Sequence, residues 1–172
     1  MGILKPTDRK VCTVDGVTFF VATECYNGTT KIAAEKLASV IPALRTKLKM
    51  YDTFNVKFAG RRPNKNQKTI MHGAWYHMSR TAVINPYMDD DNLFETFAHE
   101  MIHCEQYNTG LLYHDKEGPV WNGRVVKNKG STHDRYMSLP WEVEAHARQK
   151  IYGPFCKKVY RKIALEEYRK KS

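Results

Sequence analysis

No run of about 18 apolar residues occurs in the 172-residue chain, so no helix is expected to span a membrane. Met1 to Lys10 holds no apolar stretch of the kind that forms a secretory signal, so a cytoplasmic protein is expected. Cysteine is scarce: Cys12, Cys25, Cys104 and Cys156 make no C-x-x-C pair. That argues against a zinc finger or a disulfide framework and fits reduced thiols. No internal repeat, low-complexity tract, helix-turn-helix pattern or RNA-recognition signature is present, and no base-stacking aromatic pattern interleaves the Lys/Arg run. Acidic residues are in deficit, 18 against 28 basic ones, which leaves a formal charge of +10. What is present suffices for a core: 42% hydrophobic and 12% aromatic residues exclude wholesale disorder. The length predicts a single domain over residues 1–172, with 155–172 as a basic C-terminal helix or tail.

The surplus charge is local. From Pro42 to Ile70, Arg45, Lys47, Lys49, Lys57, Arg61, Arg62, Lys65 and Lys68 oppose Asp52 alone. From Lys157 to Ser172, seven basic residues oppose Glu166 and Glu167. Between them, Asp89, Asp90, Asp91, Glu95, Glu100 and Glu105 form an acidic stretch with no basic residue. Basic segments favour DNA or another polyanion, or simply keep a surface solvated; acidic clusters favour metals.

Local patterns predict the elements. Asp15-Gly16 between Val11–Val14 and Val17–Val21 signals a hairpin. Thr29 or Thr30 caps a helix through Ile32, Ala33, Leu37 and Val40, which Pro42 kinks or restarts towards Met50. Thr53–Ala59 alternates as a strand, Gly60 to Gln67 reads as a basic loop, and Thr69–Met78 and Thr81–Asn85 read as a hairpin through Ser79-Arg80. Asp89-Asp90-Asp91-Asn92 caps a helix to Tyr107, whose Leu93, Phe94, Phe97, Ala98, Met101 and Ile102 fill an arc of about 180°. Val120-Trp121 and Arg124–Val126 flank Asn122-Gly123 as another hairpin. Ser138 and Pro140 start a helix that Gly153-Pro154 is expected to break, before a basic amphipathic helix from Phe155 to about Arg169.

His99-Glu100-Met101-Ile102-His103 is an HExxH motif inside the predicted amphipathic helix. Composition predicts about 0.016 such motifs by chance, and the helical setting is the one the chemistry requires. Residues four apart share a helix face, so both imidazoles can bind one metal ion, and Glu100 is the candidate general base towards water. A catalytic zinc site needs a third protein ligand. Gln106 and Thr109 stand where a metzincin has Gly and His, so that class is excluded; His114, His133, Glu142, Glu144 and His146 remain as candidates. Tyr107 and Tyr136 are candidate oxyanion donors or ordinary packing residues. His72 and His77 either line a groove or are ordinary strand residues, and Cys104 reads as a small buried residue.

Phe94 to Tyr107 (FETFAHEMIHCEQY) followed by Leu139 to His146 (LPWEVEAH) resembles the gluzincin-type metallopeptidases. It is most similar to small metallopeptidases of bacteriophage genomes that pair HExxH with a PWExEA segment, with a Trp-Asn-Gly element between; Trp121-Asn122-Gly123 stands there in this chain. The resemblance covers roughly Lys68 to Tyr152, about half the sequence. It implies an α+β, zincin-like domain. A small mixed β-sheet would pack on the HExxH helix, and a second helix from about residue 140 would carry a ligand. It implies Zn2+ held by His99, His103 and Glu142, with Glu100 as base in peptide-bond hydrolysis, a peptide or protein as substrate, and an edge strand that binds it extended. Glu144 would then contact a ligand from behind or point elsewhere. Related peptidases often have Asp where His146 stands; His146 shares a helix face with Glu142, to orient a ligand or donate to an oxyanion.

A fainter resemblance is to the SprT-like proteases that act on DNA–protein crosslinks. Their HEMIH element is matched, and His133-Asp134-Arg135-Tyr136 echoes their third-ligand element without its Gly and farther from His103. It implies His133 as third ligand and a nucleic-acid-associated protein. A zinc-stabilised phage protein without catalysis is a further expectation.

Overall fold

The computed structural model describes residues 4–62, 72–127 and 132–172. Strands β1 (Arg9–Val14) and β2 (Val17–Val21) form the expected hairpin. Asp15 and Gly16 take φ of 47° and 76°, the left-handed pair of a two-residue turn that follows strand twist. A 3-10 turn at Thr23–Cys25 leads into α1 (Gly28–Leu48). Its cap is Asn27, not Thr29 or Thr30: the Asn27 side chain accepts from the Thr30 N–H at 3.0 Å, and the Thr30 hydroxyl accepts from the Asn27 N–H at 3.0 Å. Pro42 does not divide α1. It sits on the exposed face, while Ile41, Leu44 and Leu48 bury the opposite one and carry the helix across.

Helix α1 is a crossover: β3 (Phe54–Phe58) pairs parallel with β2. β3 pairs parallel with β5 (Thr81–Ile84), which pairs antiparallel with the edge strand β4 (Gly73–Tyr76). The result is a five-stranded mixed sheet, order β1-β2-β3-β5-β4. The N-terminal hairpin thus joins the strands expected at 53–59, 69–78 and 81–85 in one sheet. Val17, Phe19, Val21, Phe54, Val56, Phe58, Ala82 and Ile84 join the core with the buried faces of α1 and of α2 (Asp90–Asn108). The basic segment 42–70 is not one surface patch. Arg45 is buried, donating to the Met50 and Asp52 carbonyls at the end of α1, and Lys57 is buried against Asp8 at 2.8 Å. Lys65, Lys68 and residues 69–71 of the expected strand lie outside the described residues.

Asp89 caps α2, accepting from the Asn92 N–H at 2.9 Å. A second sheet follows: β6 (Leu112–Asp115), β7 (Gly118–Trp121) and β8 (Arg124–Val125), with the expected turn at Asn122-Gly123 and an unforeseen β6–β7 hairpin. Leu112, Leu139 and Trp141 form its own apolar cluster. After the short α3 (His133–Met137) comes α4 (Pro140–Lys171), 32 residues without interruption.

The expected break at Gly153-Pro154, and with it a separate helix or tail over 155–172, is therefore corrected. Local propensity disfavours the pair by about 1 kcal/mol for Gly and about 3 for Pro. Packing along α2 overrides it. Gly153 is buried against Glu95, Cys156 is fully buried, and Pro154 faces outward, where its missing N–H matters least. No helix among the described residues is long and apolar enough to cross a membrane.

Candidate metal centre

Helix α2 has two working faces. Leu93, Phe94, Phe97, Ala98, Met101 and Ile102 are buried in the core as the pattern predicts. His99, Glu100 and His103 lie beside that arc and are also buried, because α4 packs along them. The approach of the two helices depends on Gly153, where an added Cβ would stand 2.9 Å from Glu95 Cα. With α4 this close, Glu142 in its first turn reaches both histidines: Oε1 lies 3.3 Å from His103 Nε2, and Oε2 lies 3.3 Å from His99 Nε2. The two Nε2 atoms are 3.0 Å apart.

Gln106 determines what these nitrogens present. Its Nε2 donates to the Trp141 carbonyl at 3.1 Å and to Glu144 at 2.8 Å, so its Oε1 faces His103 Nδ1 at 2.8 Å. An amide oxygen only accepts, so Nδ1 carries the hydrogen and the neutral ring offers its Nε2 lone pair. Gln149 Oε1 lies 2.7 Å from His99 Nδ1 and accepts from it.

Two imidazole lone pairs and a carboxylate therefore converge in a buried space, and Glu142 Oε2 has no hydrogen-bond partner there. Three acceptors facing one another repel unless a cation sits among them. The local titration reflects that demand. Burial alone would lower His103, but the facing Glu142 carboxylate and the nearby Glu100 charge outweigh it and raise it. Burial alone would raise Glu142, yet the His103 and His99 rings that face it hold it well below the usual carboxylate range. Among the described residues, His99, His103 and Glu142 are the one group whose ligating atoms all lie within 4.8 Å of one another. This buried group can bind a metal ion: it has the donor types, the common focus and the unpartnered oxygen that such an ion would satisfy.

Glu100 stands next to the group. Burial pushes its carboxyl up to about 7, only partly offset by His103 and His99. Its Oε2 is buried and has no hydrogen-bond partner. Gly73 on β4 backs it so tightly that a Cβ there would meet Glu100 Oε1 at 2.7 Å.

These side chains open on a cleft of about 920 Å³. α2, β4, the second sheet and α3 wall it. His72, His114, His133 and His146 line the cleft, but their ring nitrogens stay outside the His99–His103–Glu142 group. His146 packs on His99 with ring centroids 4.6 Å apart. His77 stacks on Tyr107 at 4.1 Å, outside the cleft wall. Burial and the neighbouring Glu142 carboxylate raise the Tyr136 hydroxyl. Burial, and then the Glu142 charge, raise Tyr107. Glu144 contacts Gln106 and Arg148 and lies behind His103. Burial pushes the Cys104 thiol up to about 12, so it is a packed neutral residue, as expected.

The sequence does not mark Gly73, Gln106, Gln149 or Gly153 as parts of the site. Gln106 was findable, three residues after His103 on the same helix. The other three act across elements far apart in sequence. Comparison with protein-family models, with curated proteins and with solved structures gives no match.

Proposed function

We propose that this protein is a zinc-dependent metallopeptidase with a zincin-like fold. The observation that carries the reading is the buried His99–His103–Glu142 group with Glu100 beside it, whose Oε2 has no hydrogen-bond partner. Two imidazoles and one carboxylate suit zinc among the available divalent ions. Bound by those three residues, zinc supplies Lewis acidity, which lowers the pKa of water and polarises a carbonyl oxygen.

Glu100 accepts the proton that water loses on attacking the amide carbon, then delivers it to the departing amine. Its buried position between β4 and the metal-binding group places it for both steps. Tyr136 and His146, both on the cleft wall, are the donors available to negative charge developing on the carbonyl oxygen.

β4 receives the substrate. It is the sheet's edge, and Asn85 N–H donates inward to the His72 carbonyl at 2.8 Å. Ladder alternation then turns the main-chain groups of Gly73 and Trp75 outward, where an extended peptide adds as a further strand.

The deciding experiment is Glu100→Gln. It should keep the metal and lose hydrolysis of an unfolded protein substrate by at least about 100-fold; full activity removes Glu100 from the mechanism.

One observation favours an added association with a polyanion. Lys158, Arg161, Lys162 and Arg169 are exposed and lie within about 100° of one face of α4. Changing all four to Gln should weaken DNA binding and flatten its salt dependence, measured by gel shift at low and high salt. Unchanged binding assigns the charge to solubility.

A further inference from the structure

We propose that Glu144 is a positioning residue for the metal centre: acting through Gln106, it sets which ring nitrogen of His103 is free to bind. The inference rests on the reading of His99, His103 and Glu142 as metal ligands.

A glutamine amide is nearly symmetric in shape, so its oxygen and nitrogen exchange places unless neighbours distinguish them. Gln106 is almost fully buried and its neighbours do distinguish them. The Trp141 carbonyl and the Glu144 carboxylate can only accept, and both take hydrogens from Gln106 Nε2, at 3.1 and 2.8 Å. That leaves Oε1 against His103 Nδ1 at 2.8 Å. Turned over, the amide would present an N–H to Nδ1. The imidazole hydrogen would then move to Nε2 and point at Glu142, in the place a metal must take. Of the two acceptors, Glu144 is the charged one, and hydrogen bonds to ionised groups are the stronger kind.

Glu144 is itself held. Arg148 reaches it at 3.3 Å and Glu105 at 2.5 Å, and the guanidinium lies over the Tyr152 ring. The chain Arg148–Glu144–Gln106–His103 therefore runs from α4 back to α2. It joins the helix that carries one ligand to the helix that carries the other two. His99 is held differently: Gln149 Oε1 accepts from it at 2.7 Å, and among the described residues no carboxylate accepts from that amide. The two histidines of the motif are thus unequally braced, and the weight falls on His103.

The test measures Co2+ affinity and the visible Co2+ spectrum of the full chain, beside the thermal midpoint of the metal-free protein. Glu144→Ala should weaken Co2+ binding about 10- to 100-fold, in the range for partners that orient a metal-bound histidine. In metal-free protein, long-range 15N–1H spectra should show the His103 hydrogen on Nδ1 in wild type, and partly on Nε2 in Glu144→Ala. Gln106→Glu alone should bind worst, because two carboxylates then face each other. Adding Glu144→Gln to it should recover much of the affinity: the introduced carboxylate accepts from His103 Nδ1–H and from the introduced amide. Wild-type Co2+ affinity and tautomer in Glu144→Ala would overturn the proposal, as would a loss of thermal stability with affinity unchanged. A wild-type chain that binds no Co2+ would overturn the metal-site reading, and this one with it.

Discussion

Gly73 and Glu100 touch without room for a methyl group between them: a Cβ at Gly73 would fall 2.7 Å from Glu100 Oε1 and 3.1 Å from Glu100 Cγ. The edge strand therefore sets the position of the carboxylate. Gly73→Ala should push Glu100 off its place, lower turnover by at least about 10-fold and cost about 1–3 kcal/mol of stability, as overpacking does. Metal content should stay at the wild-type level. Steady-state kinetics beside metal analysis checks it; unchanged turnover shows that Glu100 can yield.

Gly153 has the same relation to Glu95, but against main chain, with an added Cβ 2.9 Å from Glu95 Cα. Main chain cannot rotate away. Gly153→Ala should therefore lower the thermal midpoint, although alanine favours a helix by about 1 kcal/mol over glycine. It should also weaken metal binding, since parting α2 from α4 carries Glu142 away from His99 and His103. A raised midpoint would mean that the crossing is looser than these distances describe.

Glu142 and His133 separate the two resemblances. Glu142→Ala should remove the metal from purified protein, whereas His133→Ala should retain it, because His133 only lines the cleft. Stripping the wild type with a chelator should lower its thermal midpoint, and returning Zn2+ at about 100 times its dissociation constant should restore about 2.7 kcal/mol. Glu142→Ala should show no such response. Metal loss from His133→Ala alone would move the third ligand to α3.

Much of the site was legible because it is written at helical spacing. His99, Glu100 and His103 sit within one turn of an amphipathic helix, and the acidic cap marks where that helix starts. The apolar arc is buried as its periodicity requires. The hairpin turns at Asp15-Gly16 and Asn122-Gly123 were equally local, since only a few residue types take those backbone angles at low cost. The Glu142 contact was reached through resemblance, not spacing: from residues alone His114, His133, Glu144 and His146 were as eligible. Gly153-Pro154 was misread because its local signal, a helix break, is weaker than the packing that crosses it.

By itself, the sequence determined the turns at Asp15-Gly16 and Asn122-Gly123, where α2 and α4 begin, which helix carries the two histidines, and that an acid stands beside them. These follow from interactions reaching three or four residues along the chain. Only the tertiary structure decided that Glu142 meets both histidines, that Gln106 and Gln149 choose their free nitrogens, and that Gly73 seats Glu100. Those relations depend on how closely α2, α4 and β4 approach one another. That closeness comes from burial summed over the whole core and from the side chains missing at Gly73 and Gly153, and no local pattern of residues encodes it.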